Sequence, residues 1–106
     1  STDKFKNKKF FIQVNTGNEN QKSGILPKTL KEFVKYCAND LHLDVIGLMS
    51  IPPMNEDPKK HFDLLNQLAI QNKLKYLSMG MSADYKIALS CGATHIRLGT
   101  ILFGKR

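Results

Sequence analysis

At 106 residues the chain is one domain or part of one, long enough for a hydrophobic core and short for a large α/β architecture. Its 42% hydrophobic and 24% charged residues suit a soluble globular chain, and no run approaches the roughly 18 apolar residues of a membrane span. The formal charge of +7 could suit nucleic acid, but Arg97 and Arg106 are the only arginines, so the excess reads as a solvated, Lys-rich surface.

No apolar segment follows a basic start in the manner of a secretory signal, and a cytoplasmic location is expected. Cys37 and Cys91 stand at apolar positions of predicted helices. With His42, His61 and His95 they form no metal-ligand spacing, so buried free thiols are expected.

Residues 1–9 are polar and basic, as in a connector. Residues 10–14, FFIQV, are β-prone and apolar and read as a strand. A polar loop, TGNENQKSG, follows over 16–24. Pro27 suits the first turn of a helix, and Leu30, Phe33, Val34, Cys37 and Leu41 then recur at helical spacing. Residues 45–49, VIGLM, form a second strand with apolar residues on both faces, as in a parallel sheet covered by helices. Pro52 and Pro53 end it.

Asp57 and Pro58 open the next helix as N-cap and first residue, with Phe62, Leu65, Leu68 and Ala69 as its inward stripe. Residues 75–79 are the third strand, 84–90 a short helix with Gly92 as its C-cap, and 95–98 the fourth strand. A last short element begins at 101–104. The order βαβαβαβ implies a parallel sheet with helices outside. Periodicity alone leaves open a small open sheet or half of an eight-stranded barrel.

The third and fourth strands each run into a turn of small residues, Gly80-Met81-Ser82 and Gly99-Thr100. Backbone N–H groups left unpaired there suit a phosphate, and Arg97 on the fourth strand adds a cation. Mid-strand among apolar neighbours, Arg97 is expected to be buried and to face a partner or a ligand cavity. Ser82 can also serve simply as a helix cap. No nucleophile, base and orienter emerge together, which argues against a hydrolase.

Four motifs occur in order: QVNTGNENQKSG from Gln13, GLMSIP from Gly47, LSMGMS from Leu77, and RLGTILFG from Arg97. Together they resemble the pyridoxal phosphate homeostasis family, also called the YggS or proline-synthase co-transcribed family. The resemblance spans residues 10–104. It implies a single (β/α)8 barrel like the N-terminal domain of alanine racemase. It also implies binding of pyridoxal 5′-phosphate (PLP) by a carrier or regulator of PLP supply, without catalytic turnover. The alternative is a fragment of a PLP-dependent, racemase-like enzyme on the same barrel.

The resemblance makes the whole chain, residues 1–106, the C-terminal half of that barrel, strands five to eight. Barrel phosphate sites commonly lie on the loops after strands seven and eight. By the same resemblance Gly80, Met81 and Ser82 hold the phosphate, Gly99 and Thr100 add backbone donors, and Arg97 faces the pyridine nitrogen. Met49 and Ser50 line the cavity, and Glu19 and Lys22 belong to the barrel mouth in roles the resemblance leaves unassigned. The family's Schiff-base lysine lies at the end of strand one, in a valine-serine-lysine context that this chain lacks, and Lys22 does not replace it. Half a barrel exposes strand edges and inward side chains. The expected partners are therefore PLP and either the missing N-terminal half-barrel or a second copy, with no nucleic acid and no membrane.

Overall fold

The computed structural model describes residues 7–17 and 24–98. Three parallel strands, β1 (Lys9–Gln13), β2 (Asp44–Met49) and β3 (Tyr76–Ser78), form one sheet in the order β1-β2-β3. Between them run α1 (Leu30–Asn39) and α2 (Pro58–Gln71), and α3 (Tyr85–Ser90) follows β3. Among the described residues no helix is long and apolar enough to cross a membrane.

The apolar periodicity places the layers. Alternation along the strands sends Ile12, Val14, Leu48, Leu77 and Met79 to one face, where all five are buried. There they join Leu30 and Cys37 of α1, Phe62, Leu65, Leu68 and Ala69 of α2, and Ala88 of α3 in one core. The opposite face carries Phe11, Gln13, Met49, Tyr76 and Ser78, each half-buried.

Local chemistry sets the helix ends. The Asp57 carboxylate accepts from the Lys59 N–H at 3.1 Å and Pro58 supplies the first helical residue of α2, as expected. Pro27 opens a 3-10 turn, Pro27–Thr29, that runs on into α1. Helix α1 stops at Asn39, and His42 adopts φ +55, so the expected helix position of Leu41 falls in a turn, 41% exposed. Gly92, at φ +106, follows α3 in the left-handed conformation of a helix stop.

Gly47 is a packing requirement. A Cβ there would stand 2.2 Å from the Tyr76 carbonyl oxygen and 2.8 Å from the Phe11 ring. The β1–β2 register shifts between Phe10 and Phe11, which leaves Ile46 without a partner in β1, as a bulge in β2.

The fourth strand expected over 95–98 is reduced to one parallel bridge, Ser78 to His95. The segment still runs beside β3: Met79 N–H donates to His95 O and Arg97 N–H to Gly80 O, both at 3.0 Å. Leu77 O takes both the Thr94 and His95 N–H groups, so the regular spacing of a ladder is lost there. The expected elements at 1–6 and 101–104 lie outside the described residues.

Gly47→Ala should destabilise the fold by about 1–3 kcal/mol, because backbone rather than a flexible side chain must move. Phe62→Ala, which empties a fully buried site, should cost about 3–5 kcal/mol. Urea titrations of both variants read these losses directly.

Candidate functional site

The C-terminal ends of the three strands gather the loops that can carry a site. After β3, Gly80 is buried at φ +101, and a Cβ on it would lie 2.5 Å from the Ala88 Cβ and 3.2 Å from Ile96 Cγ2. Glycine is thus required both by conformation and by the closeness of α3. Its carbonyl accepts from Arg97 N–H, which brings Gly80, Met81, Ser82 and Arg97 into one neighbourhood.

One expectation about that loop needs correction. The Met81 N–H is not an open donor: the Asp84 carboxylate accepts from it at 2.8 Å, closing the turn before α3. Aspartate fits this because a short carboxylate reaches the backbone three residues back. Helix α3 has only six residues, so little dipole accumulates at its start.

Arg97, expected to be buried, is exposed, because the sheet face beside it has no facing wall among the described residues. Ser82 is half-buried, and its hydroxyl has no hydrogen-bond partner among the described residues, so it is not the helix cap. Gly99, Thr100, Glu19 and Lys22 lie outside the described residues.

Met49 and Ser50 separate. Alternation leaves Met49 on the half-buried face and returns Ser50 to the side of Leu48. Ser50 is 3% exposed, and its Oγ has no hydrogen-bond partner among the described residues. On the Met49 face, His95 packs edge-on against Phe11 and Tyr76, with ring centroids 5.2 and 5.8 Å away. Its Nδ1 lies 2.8 Å from Thr94 Oγ1. Arg97 follows two residues later, the spacing that returns an extended chain to the same side.

One polar cluster escaped the sequence reading. His61, in the first turn of α2 and 3% exposed, has Nδ1 3.0 Å from Thr16 Oγ1 and Nε2 2.8 Å from Glu56 Oε1. Hydroxyl, imidazole and carboxylate do meet here, contrary to the expectation that no such group exists. Thr16 is only 9% exposed, however, and its contact with His61 is buried. The sequence held a signal: His61 falls on the inward stripe with Leu65 and Leu68, and a buried polar side chain must find partners.

Cys37 and Cys91 are buried and free, as expected, and burial pushes both thiols up. Among the described residues no cluster of three metal-ligating side chains occurs.

The profile of the alanine racemase N-terminal domain matches residues 2–106. The chain belongs to that family. Family members share a TIM-barrel-type α/β fold, and the parallel sheet with its helix layer is a piece of that fold. The pyridoxal phosphate homeostasis protein of Aquifex aeolicus is 41% identical over an alignment of 104 residues that covers 90% of this chain and 46% of that protein. The Escherichia coli protein of the same name is 37% identical over an alignment of 103 residues that covers 90% of this chain and 44% of that protein.

Among solved structures, PipY of Synechococcus elongatus without PLP superimposes with a TM-score of 0.81 at 31% identity, covering 91% of this chain and 49% of PipY. PipY with PLP bound gives a TM-score of 0.70 at 30% identity, with the same coverage. The chain therefore spans about half the length of the relatives it matches.

Hydrogen bonds from Lys60 and His61 hold the Glu56 carboxyl below its ordinary value. A carboxylate with a depressed folded-state pKa contributes stability above its unfolded pKa and loses it as pH falls through the folded value. Glu56→Gln should therefore flatten part of the acid dependence of stability between about pH 5 and 2, as read from urea midpoints across that range.

Proposed function

We propose that this chain forms strands five to eight of a (β/α)8 barrel and supplies part of a PLP site in intracellular PLP homeostasis. The family and the homeostasis names of its relatives support the role, and PipY with PLP bound supports the cofactor. Those names also favour a carrier or regulator over an enzyme. The whole chain, 1–106, is one partial barrel in this reading. The preceding half brings the facing wall and the lysine that bonds the cofactor.

The observation that carries the site is the Arg97 N–H to Gly80 O bond of 3.0 Å. It sets the loop after β3 beside the segment at 95–98, the arrangement from which a phosphate site on the last two barrel loops is built. The residues fit a phosphorylated pyridine. Gly80 lets the loop pack closely against α3, the Ser82 hydroxyl is unpartnered among the described residues, and Arg97 offers a solvent-facing guanidinium.

In this reading Ser82 donates to the phosphate, with Gly99 and Thr100 adding backbone donors from the next loop. Met81 contributes position only, since its N–H is already engaged by Asp84. Arg97 faces the pyridine nitrogen and keeps it unprotonated, because two adjacent cations are unfavourable. Bound PLP supplies an aldehyde that captures amines and a ring that withdraws electrons. A ring denied its proton withdraws them less, which suits storage better than turnover.

In the protein carrying the complete barrel, Ser82→Ala and Thr100→Pro, which removes the backbone donor, should each weaken PLP binding by about tenfold, the scale of one lost charge-assisted hydrogen bond. Arg97→Ala should lower affinity and raise the pKa of the bound pyridine nitrogen. Equilibrium dialysis and a pH titration of the PLP absorbance measure both effects. Unchanged affinity in all three variants would overturn the site.

A further inference from the structure

We infer that His61 is a positioning residue that fastens two loops at the mouth of the sheet to α2. Thr16 stands at the root of the segment leaving β1, and Glu56 lies in the segment leaving β2. The imidazole between them is buried, and both of its nitrogens are engaged.

The proton arrangement follows from the partners. Glu56 Oε1 also takes Lys60 Nζ at 3.0 Å, so this oxygen acts as a carboxylate acceptor and Nε2 must carry the donated hydrogen. In the neutral imidazole Nδ1 is then an acceptor, and the Thr16 hydroxyl donates to it. The hydroxyl rotor of Thr16 is thereby fixed.

The segment leaving β1 is fixed at its other end as well. Ile25 N–H donates to Gln13 O at 2.8 Å and Asn15 N–H to Ile25 O at 2.9 Å, so the chain returns alongside the strand it left. With the His61 contact, both roots of that loop are held, one by backbone and one by a single imidazole. The same imidazole holds Glu56, so displacement of either loop is felt by the other. Loops at the C-terminal ends of parallel strands are where such folds keep their ligands. His61 touches neither ligand nor reacting atoms in this account; it acts through Thr16 and Glu56.

The functional consequence rests on the PLP-binding reading above, and the test keeps the two apart. In the protein carrying the complete barrel, nitrogen-15 spectra of the histidines should show a proton on His61 Nε2. His61→Phe and Thr16→Val should each speed PLP release by about tenfold, the scale of one buried hydrogen bond. The double variant should release it no faster than His61→Phe alone, which already lacks the Thr16 contact. His61→Gln, whose carboxamide offers one donor and one acceptor, should stay within about threefold of the natural chain.

Hydrogen exchange at the Gly17 and Glu56 amides should rise together in His61→Phe and Thr16→Val. A proton on Nδ1 instead of Nε2, or exchange that rises at one loop only, overturns the inference. So does additive release, or release unchanged in both variants. Should the natural protein bind no PLP, the function proposed above fails, and the spectra and exchange still decide the role of His61. Should His61→Phe not fold, Thr16→Val and His61→Gln carry the same comparison.

Discussion

The rest of the structure depends on the inward stripe of α2 lying against β2 and β3. Phe62 and Leu65 are fully buried there, with Leu48 and Leu77 in the same core. Their contact fixes the height of the helix along the strands, and with it the position of everything at the helix start. Asp57, Pro58 and His61 all sit in or beside that first turn. A shift by one residue would bury different side chains and carry His61 away from Thr16. The loops at the mouth are therefore held by an apolar contact made several residues away.

That core also divides the two faces of the sheet. Helices claim one, where the strands show only apolar side chains and the hidden Ser50. The other keeps polar groups among its rings: Gln13, Ser78 and His95, with Arg97 beyond. A face of this kind gains little from packing against a further helix, since its polar groups would need partners there. It suits a wall that encloses a polar ligand.

Much of this was legible in the amino-acid order. Apolar spacing located β1, β2, α1 and α2, and the Asp57-Pro58 pair located the start of α2. The glycines that mattered, Gly47 and Gly80, sat inside motifs whose order pointed to the family. What stayed hidden depended on distant partners or on geometry. Thr16 and His61 are 45 positions apart, and no local pattern reports that they meet. Asp84 reads as the first residue of a short helix, yet its carboxylate engages the Met81 N–H and removes it as a phosphate donor. Arg97 reads as buried from its neighbours, but exposure is set by whether a wall stands opposite, and the order of residues along one chain does not carry that.

The unpaired Ile46 in β2 has a geometric effect beyond its own position. An extra residue on one strand lengthens that edge relative to its neighbour, so the ribbon must coil more tightly. Coiling of this kind lets a sheet curve into a cylinder instead of fanning out flat. In a sheet curved this way, with helices outside, the C-terminal ends of its strands turn toward a common axis. Three loops that would lie in a row above a flat ribbon become sectors of a ring.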